Sequence, residues 1–365
     1  MKVPWARPYF DSAEVDSVNK TLTTGWLSQG ENVKALEARI CELTGSTFAV
    51  AVNSGTAALD VALKLLNIKP GDKVLVPAFT YIASVNCILY QGAKPVFVDI
   101  DPCTFNLSVD SAQRRVTSSC KAVIVIDYAG QSAAWNELRS FADEFGLSLV
   151  EDAAPAMGGK YNRKSLGTMG DIGITSFHIA KNFTSVEGGM LFLHDKELDR
   201  RARIIRSQGE SPEVKYRHVE LGHNYRMTDL HAAVGLAQFS RYHAVLEDRT
   251  RAADYYSEHL TNINGITVPL VLPGNTHGWF LYPILINKRN QIREHLTEMG
   301  VETNVSWPYP AYEQPYLKQY FSEPCPVTEQ VCSEVLCLPL YYGITQEEQD
   351  YVISSIERSI GEVDK

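Results

Sequence analysis

From residue 47 onward the chain alternates short β-branched runs with longer helical stretches, and no other feature limits its possible folds as strongly. The runs at 47–52, 73–76, 95–98, 122–126 and 148–150 have the length and composition of buried strands, and 57–66, 82–90 and 134–145 between them carry helical periodicity. Strands joined through crossover helices run in the same direction, so the alternation predicts an α/β fold with a mostly parallel central sheet flanked by helices. Two amphipathic helical stretches, 12–22 and 32–43, come first; the glycine-flanked loop Gly25-Trp26-Leu27-Ser28-Gln29-Gly30 between them can border a site. After Gly170 the pattern changes. The apolar segments 172–178 and 188–193, joined by a polar glycine-containing loop, predict a hairpin-like pair, and 227–246 and 249–262 predict helices. The boundary is expected near 246, giving a large domain over 1–246 and a smaller α+β domain over 247–365, with strands near 279–286 and 302–305 and helices near 291–299 and 346–360.

The 365 residues are enough for two such domains. Lysine and arginine against aspartate and glutamate give 34 − 43 = −9, so the chain lacks the basic field that draws proteins onto nucleic acid or acidic lipid. Its longest apolar runs are strand-sized, far short of the roughly 20 residues of a membrane helix. Residues 1–10 contain no apolar signal segment, so a cytoplasmic location is expected. Seven dispersed cysteines without CxxC pairs predict free thiols and no metal site.

Three local patterns carry chemistry. Asn53-Ser54-Gly55-Thr56-Ala57-Ala58-Leu59 falls where the first strand of the alternation ends and a helix begins. Free N–H groups at that helix start, small residues and the Thr56 hydroxyl suit a phosphate; the same residues also suit a plain helix cap behind a tight turn. The apolar run 147–150 ends in Glu151-Asp152, placing acid at the carboxyl edge of the sheet, where open α/β folds bind ligands and where solvated loops also begin. Lys181 follows 29 residues on (181 − 152), between small and aromatic residues and before Glu187-Gly188-Gly189. It is either a surface lysine or an amine desolvated into nucleophilic range. Taken together, a phosphate corner, an acid and a nucleophilic lysine are the three handles that pyridoxal 5′-phosphate needs for its phosphate, pyridine nitrogen and aldehyde.

These motifs, with Val76-Pro77-Ala78-Phe79-Thr80-Tyr81, Ser176–Lys181, Asn224-Tyr225-Arg226-Met227 and Leu338-Pro339-Leu340-Tyr341, resemble the DegT/DnrJ/EryC1/StrS family of sugar aminotransferases over nearly the whole chain. The resemblance implies a fold-type-I pyridoxal-phosphate transferase. It makes Lys181 the lysine that bonds the cofactor aldehyde and then shuttles a proton, and Asp152 the acid that keeps the pyridine nitrogen protonated. Tyr81 becomes the ring stacked on the pyridine, and Gly55, Thr56 and Ser176 the phosphate cup. Asn224 becomes a residue that reaches the neighbouring subunit's cofactor phosphate, hence a homodimer with shared sites. The implied reaction moves an amino group from L-glutamate to a keto group of a nucleotide-linked sugar, with C4 of a hexose preferred over C3, in amino-sugar biosynthesis for a surface polysaccharide or a secondary metabolite. Such an acceptor carries a diphosphate, so basic side chains are expected around the pocket.

Two departures stand out. Pro155 occupies the position where the family commonly has Gln or His against the cofactor's phenolic oxygen, and the small-domain loop reads Trp307-Pro308-Tyr309-Pro310-Ala311-Tyr312 without the frequent His. Trp307, Tyr309 and Tyr312 either line the substrate entrance or pack. His178 reads as packing beside the cofactor loop, and Arg226 as either an anion contact or a structural ion pair. A keto-cyclitol aminotransferase and a non-catalytic sensor of cofactor or sugar nucleotide are the alternative functions. Retention of Lys181 argues against a dehydratase of the same fold, which carries His there, and Lys181 with Asp152 argues against a sensor.

Overall fold

The computed structural model describes residues 1–363. Helix α1 (Ser12–Thr24) opens with a reciprocal cap between Asp11 and Glu14 and closes on Gly25, left-handed at φ 69°. Helix α2 (Glu31–Thr44) has no such local cap. Its start is held from afar by Asp229, whose carboxylate accepts from the N–H groups of Gly30, Asn32 and Val33.

The alternation then runs through β1 (Phe48–Val52), α3 (Gly55–Leu65), β2 (Lys73–Pro77), α4 (Ala83–Tyr90), β3 (Lys94–Val98), α5 (Val109–Arg115), β4 (Cys120–Ile126), α6 (Trp135–Phe145) and β5 (Ser148–Asp152). A small hairpin, β6 (Lys160–Tyr161) and β7 (Lys164–Ser165), leads to β8 (Ile172–Ser176) and β9 (Gly189–Leu193). Seven of these strands form one sheet in the order β1-β9-β8-β5-β4-β2-β3. Pairing is parallel from β3 across to β8, as the crossover helices require. The pair expected after Gly170 is the antiparallel β8–β9 ladder, and β9 also pairs antiparallel with β1. Both faces of the sheet are covered, so the strands are apolar on both sides. Val74 and Val76 of β2 face α3 and α4, while Leu75 faces the α5–α6 side. Ala49 and Ala51 of β1 pack with α2.

After α7 (Lys196–Arg206) come α8 (Asp229–Phe239) and α9 (Tyr242–Leu260). The helix expected over 227–246 is therefore broken at Ser240–Arg241, and residue 246 lies inside a continuous α9. Tyr242 and Val245 of α9 pack with the large-domain residues Phe177 and Phe239, whereas Ala252, Ala253, Tyr256 and Leu260 belong to the C-terminal core, so one helix serves two cores. That second core lies on the antiparallel sheet of β10 (Ile266–Thr267), β11 (Tyr282–Ile286) and β12 (Val335–Leu338). It is covered by α10 (Arg289–Glu298) and α12 (Gln346–Val363), and α11 (Pro326–Glu334) precedes β12. The strand expected at 302–305 does not join this sheet. Val301 bridges Val3 of the N-terminal segment, which is buried in the second core, and Asn304 makes a single isolated bridge to Cys337 of β12, so no continuous ladder forms.

Among the described residues no helix is long and apolar enough to cross a membrane, and no cluster of His, Cys, Asp and Glu is arranged to hold a metal ion. All seven cysteines are unbridged.

Candidate active site

The carboxyl ends of β4, β5 and β8 and the first turn of α3 open into a cavity of about 570 Å³, closed on its far side by Phe280, Leu281 and residues 304–307. Parallel topology creates this place, since every crossover helix starts at the same sheet edge.

Asp152 is the last residue of β5 and is 5% exposed. Its Oδ2 accepts from the Ser84 hydroxyl at 2.7 Å and its Oδ1 from the Ala154 N–H at 3.1 Å. Burial pushes its pKa above the usual carboxylate range, opposed by those two hydrogen bonds and by the Lys181 ammonium. A cationic group arriving beside Asp152 would favour the ionised carboxylate. Lys181 faces the same cavity, and its Nζ lies 4.1 Å from the centre of the Phe280 ring. Burial lowers its pKa to about 8 against the opposing pull of Asp152. At neutral pH this amine is free of its proton far more often than an ordinary lysine, as a nucleophile or proton acceptor must be.

At the third corner the helix cap read from the 53–59 motif is present, and the phosphate corner is compatible with it. Ser54 caps α3, its Oγ accepting from the Ala57 N–H at 3.1 Å, while the first N–H groups of the helix have no intrahelical acceptor. Gly55 is needed for close approach: a Cβ there would lie 2.9 Å from the Ser176 Cβ. Gly189 is constrained likewise, since its Cβ would run into the Ser54 carbonyl. Gly55, Thr56, Ser176 and Tyr81 all line the cavity, with Tyr81 61% exposed. A helix start for an anion, a buried carboxyl and a desolvated amine thus surround one space. This donor set fits the phosphate, ring nitrogen and aldehyde of pyridoxal 5′-phosphate.

Other expectations divide. Trp307 lines the cavity, packed on Phe79 and Tyr128, but Tyr309 is exposed and Tyr312 is buried against Phe97. His178 is on the cavity wall, its Nε2 3.7 Å from Glu187, and Pro155 also lines it with no donor to offer. Trp26 and Arg226 lie outside this cavity. Asn224 does too: it is exposed, and its carbonyl accepts from the Asn53 side chain at 3.3 Å. The expected basic rim is not met within one chain, for Lys181 is the only lysine or arginine among the described residues that line the cavity. The residues that local motifs missed are Ser84 and Phe280. Ser84 stands 68 positions from Asp152 (152 − 84), and Phe280 arrives from beyond α9, so no local spacing links either to the site.

A profile of the DegT/DnrJ/EryC1/StrS aminotransferase family matches residues 8–357. The chain is 33% identical to the GDP-perosamine synthase of Caulobacter vibrioides over 98% of both chains. It is also 33% identical to a UDP-N-acetyl-3-dehydro-alpha-D-glucosamine 3-aminotransferase of Acidithiobacillus ferrooxidans, over 94% of this chain and 92% of the other. The fold superimposes on Spr1654 of Streptococcus pneumoniae, solved in a PLP-form and a PMP-form, with a TM-score of 0.94 and 28% identity over 100% of both chains.

Proposed function

Because this chain belongs to the DegT/DnrJ/EryC1/StrS aminotransferase family and is a pyridoxal-phosphate-dependent enzyme, we propose that it transfers the amino group of L-glutamate to the C4 keto group of a nucleotide-linked hexose, in the cytoplasm and as a homodimer. The observation that carries this is the placement of Lys181 and Asp152 on one cavity at the first turn of α3. When bound, pyridoxal 5′-phosphate supplies an aldehyde that condenses with amines and a ring that takes up the electron pair released at the substrate carbon. The N–H groups at the start of α3, with Thr56 and Ser176, would hold its phosphate. Asp152, kept in place by Ser84, would hold a proton at the ring nitrogen, and Tyr81 would cover a ring face. Lys181, with its amine near neutrality, would take a proton from the donor carbon and return one to the acceptor carbon.

The two relatives named for nucleotide-sugar products or substrates support the acceptor class. Preference for C4 rests on the wording of Thr80-Tyr81-Ile82-Ala83-Ser84 and Asn224-Tyr225-Arg226-Met227-Thr228. A second subunit would supply the further cations that the single-chain cavity lacks beyond Lys181, with Asn224 at the shared phosphate. The test is amine transfer from glutamate to a panel of nucleotide-linked 3-keto and 4-keto hexoses. A 4-keto sugar should be aminated fastest; a faster 3-keto sugar would reverse the regiochemistry, and no transfer to any would refute the acceptor class.

A further inference from the structure

Beside the main cavity lies a small second one that Lys181 and Phe280 share with Arg7, Arg241 and Arg249. Arg7 is paired with Glu348, and Arg241 with Asp11 and Glu14. Arg249, 7% exposed, has no carboxylate partner among the described residues. Its Nε donates to the Trp279 carbonyl at 2.7 Å and its NH2 group to the Phe280 carbonyl at 2.9 Å. The adjacent Asp248 is engaged with Arg251 and the Gly343 N–H. A charge buried on two carbonyls is costly, so its use here calls for a reason.

The backbone it grips is strained. Trp279 has φ 47°, a left-handed conformation unfavourable for a bulky residue that persists only where the surroundings over-determine it. Those surroundings can be named. The Trp279 N–H donates to His277 Nδ1 at 2.8 Å, and the two rings stack with centres 3.8 Å apart. Gly278 and Phe280 donate to the carbonyls of Gly130 and Ala129, both at 2.9 Å. Asn182, next to Lys181, donates to the Gly278 carbonyl at 2.6 Å. The Lys181 loop and the ring that meets its ammonium are thus tied to one clamp.

We propose that Arg249 is a positioning residue for Lys181: by gripping the Trp279 and Phe280 carbonyls it holds the Phe280 ring as the surface on which the Lys181 ammonium rests. The electrons of the ring face favour the charged amine. Asp152 favours it too, the His178–Glu187 pair stands at the cavity wall, and Arg249 itself acts through the backbone. The inference rests on Lys181 being the reactive amine, but its test does not require turnover.

The full chain is loaded with pyridoxamine 5′-phosphate, which leaves Lys181 unbound, and acetylation of Lys181 by acetic anhydride is followed by peptide mass spectrometry across pH. Phe280→Leu keeps the apolar volume and removes the ring, so labelling near neutral pH should rise about threefold to tenfold. Arg249→Lys should move the profile in the same direction, and the double variant no further than Phe280→Leu alone, because both act through one ring. A wild-type profile in Arg249→Lys, or additive shifts, would overturn the proposal. If Arg249→Lys does not fold, Asn182→Ala loosens the same clamp, and an unshifted profile there would count equally against it. If Phe280→Leu and Arg249→Lys shift the profile as stated while the wild type takes no amine from glutamate, the proposed donor is refuted and the role of Arg249 stands.

Discussion

Lys181 and Asp152 each have an electrostatic state that only their joint surroundings explain. The lysine is shifted down to about 8 by burial, and the carboxyl is shifted up by burial while Ser84 and Ala154 hold it back. Replacing Lys181 with Ala should abolish turnover and the yellow absorbance of the lysine-bound cofactor, while the cofactor remains bound non-covalently; an absorbance spectrum and a glutamate assay check both, and full transamination in the variant would sink the assignment. Asp152→Asn keeps the volume and loses the charge. Its penalty should fall on proton removal from glutamate, about a thousandfold or more, as for other lost transition-state electrostatics. Stopped-flow measurement of that half-reaction decides the matter, since an unchanged rate would place the acid elsewhere.

At the scale of elements, the paired edge of β4 and β5 carries a second acid site behind the first. Strand alternation sends Asp152 to the cavity and Glu151 to the opposite face, where both it and Asp127 are inaccessible to solvent. Asp127 accepts from the Ala133 N–H at 2.9 Å and the Trp135 indole at 3.2 Å, and Glu151 from the N–H groups of Gly167, Met169 and Gly170. The second oxygen of Asp127, Oδ2, has no hydrogen-bond partner among the described residues, and burial, with the charge of Glu151 beside it, raises its pKa well above the usual range; burial raises that of Glu151 too. The folded pair therefore holds its protons to higher pH than the unfolded chain, which releases them near about pH 4. The pair's stabilising contribution is full below that pH and is lost as pH rises through the folded pKa. Asp127→Asn keeps the volume and removes the titrating carboxyl, so the fall in Tm as the pH rises above about 4 should be smaller than in the wild type. Equal falls in thermal melts would show that the proton is not held there.

At the scale of the molecule, the cavity of one chain has no lysine or arginine besides Lys181 among the described residues, and Asn224 stands exposed outside it. The proposed dimer, with sites built from two chains, would account for both. Mixing inactive Lys181→Ala with Asn224→Ala should form some heterodimers with both lesions in one site and none in the other, so activity should rise above that of either parent, given impaired Asn224→Ala and exchanging subunits. A fully active monomer at assay concentration would refute the shared site.

Periodicity is a local property, and it sufficed for the parallel core: five β-branched runs became β1 to β5 within a few residues of where they were read. Lys181, Asp152 and the 53–56 turn were legible because strand ends and helix starts bring chemistry to one sheet edge whatever the loops do. The break at Ser240–Arg241 was not, because apolar spacing continues across it, and neither were the insertion of β9 beside β1 or the bridge from Val3 to Val301. Likewise Ser84 on Asp152, Phe280 against Lys181 and Arg249 behind Phe280 join segments that share no local pattern. Local spacing records which face of a segment is buried. What a buried charge meets there, and hence its pKa and its chemistry, depends on all the segments that remove water from it, and only the tertiary structure brings those together.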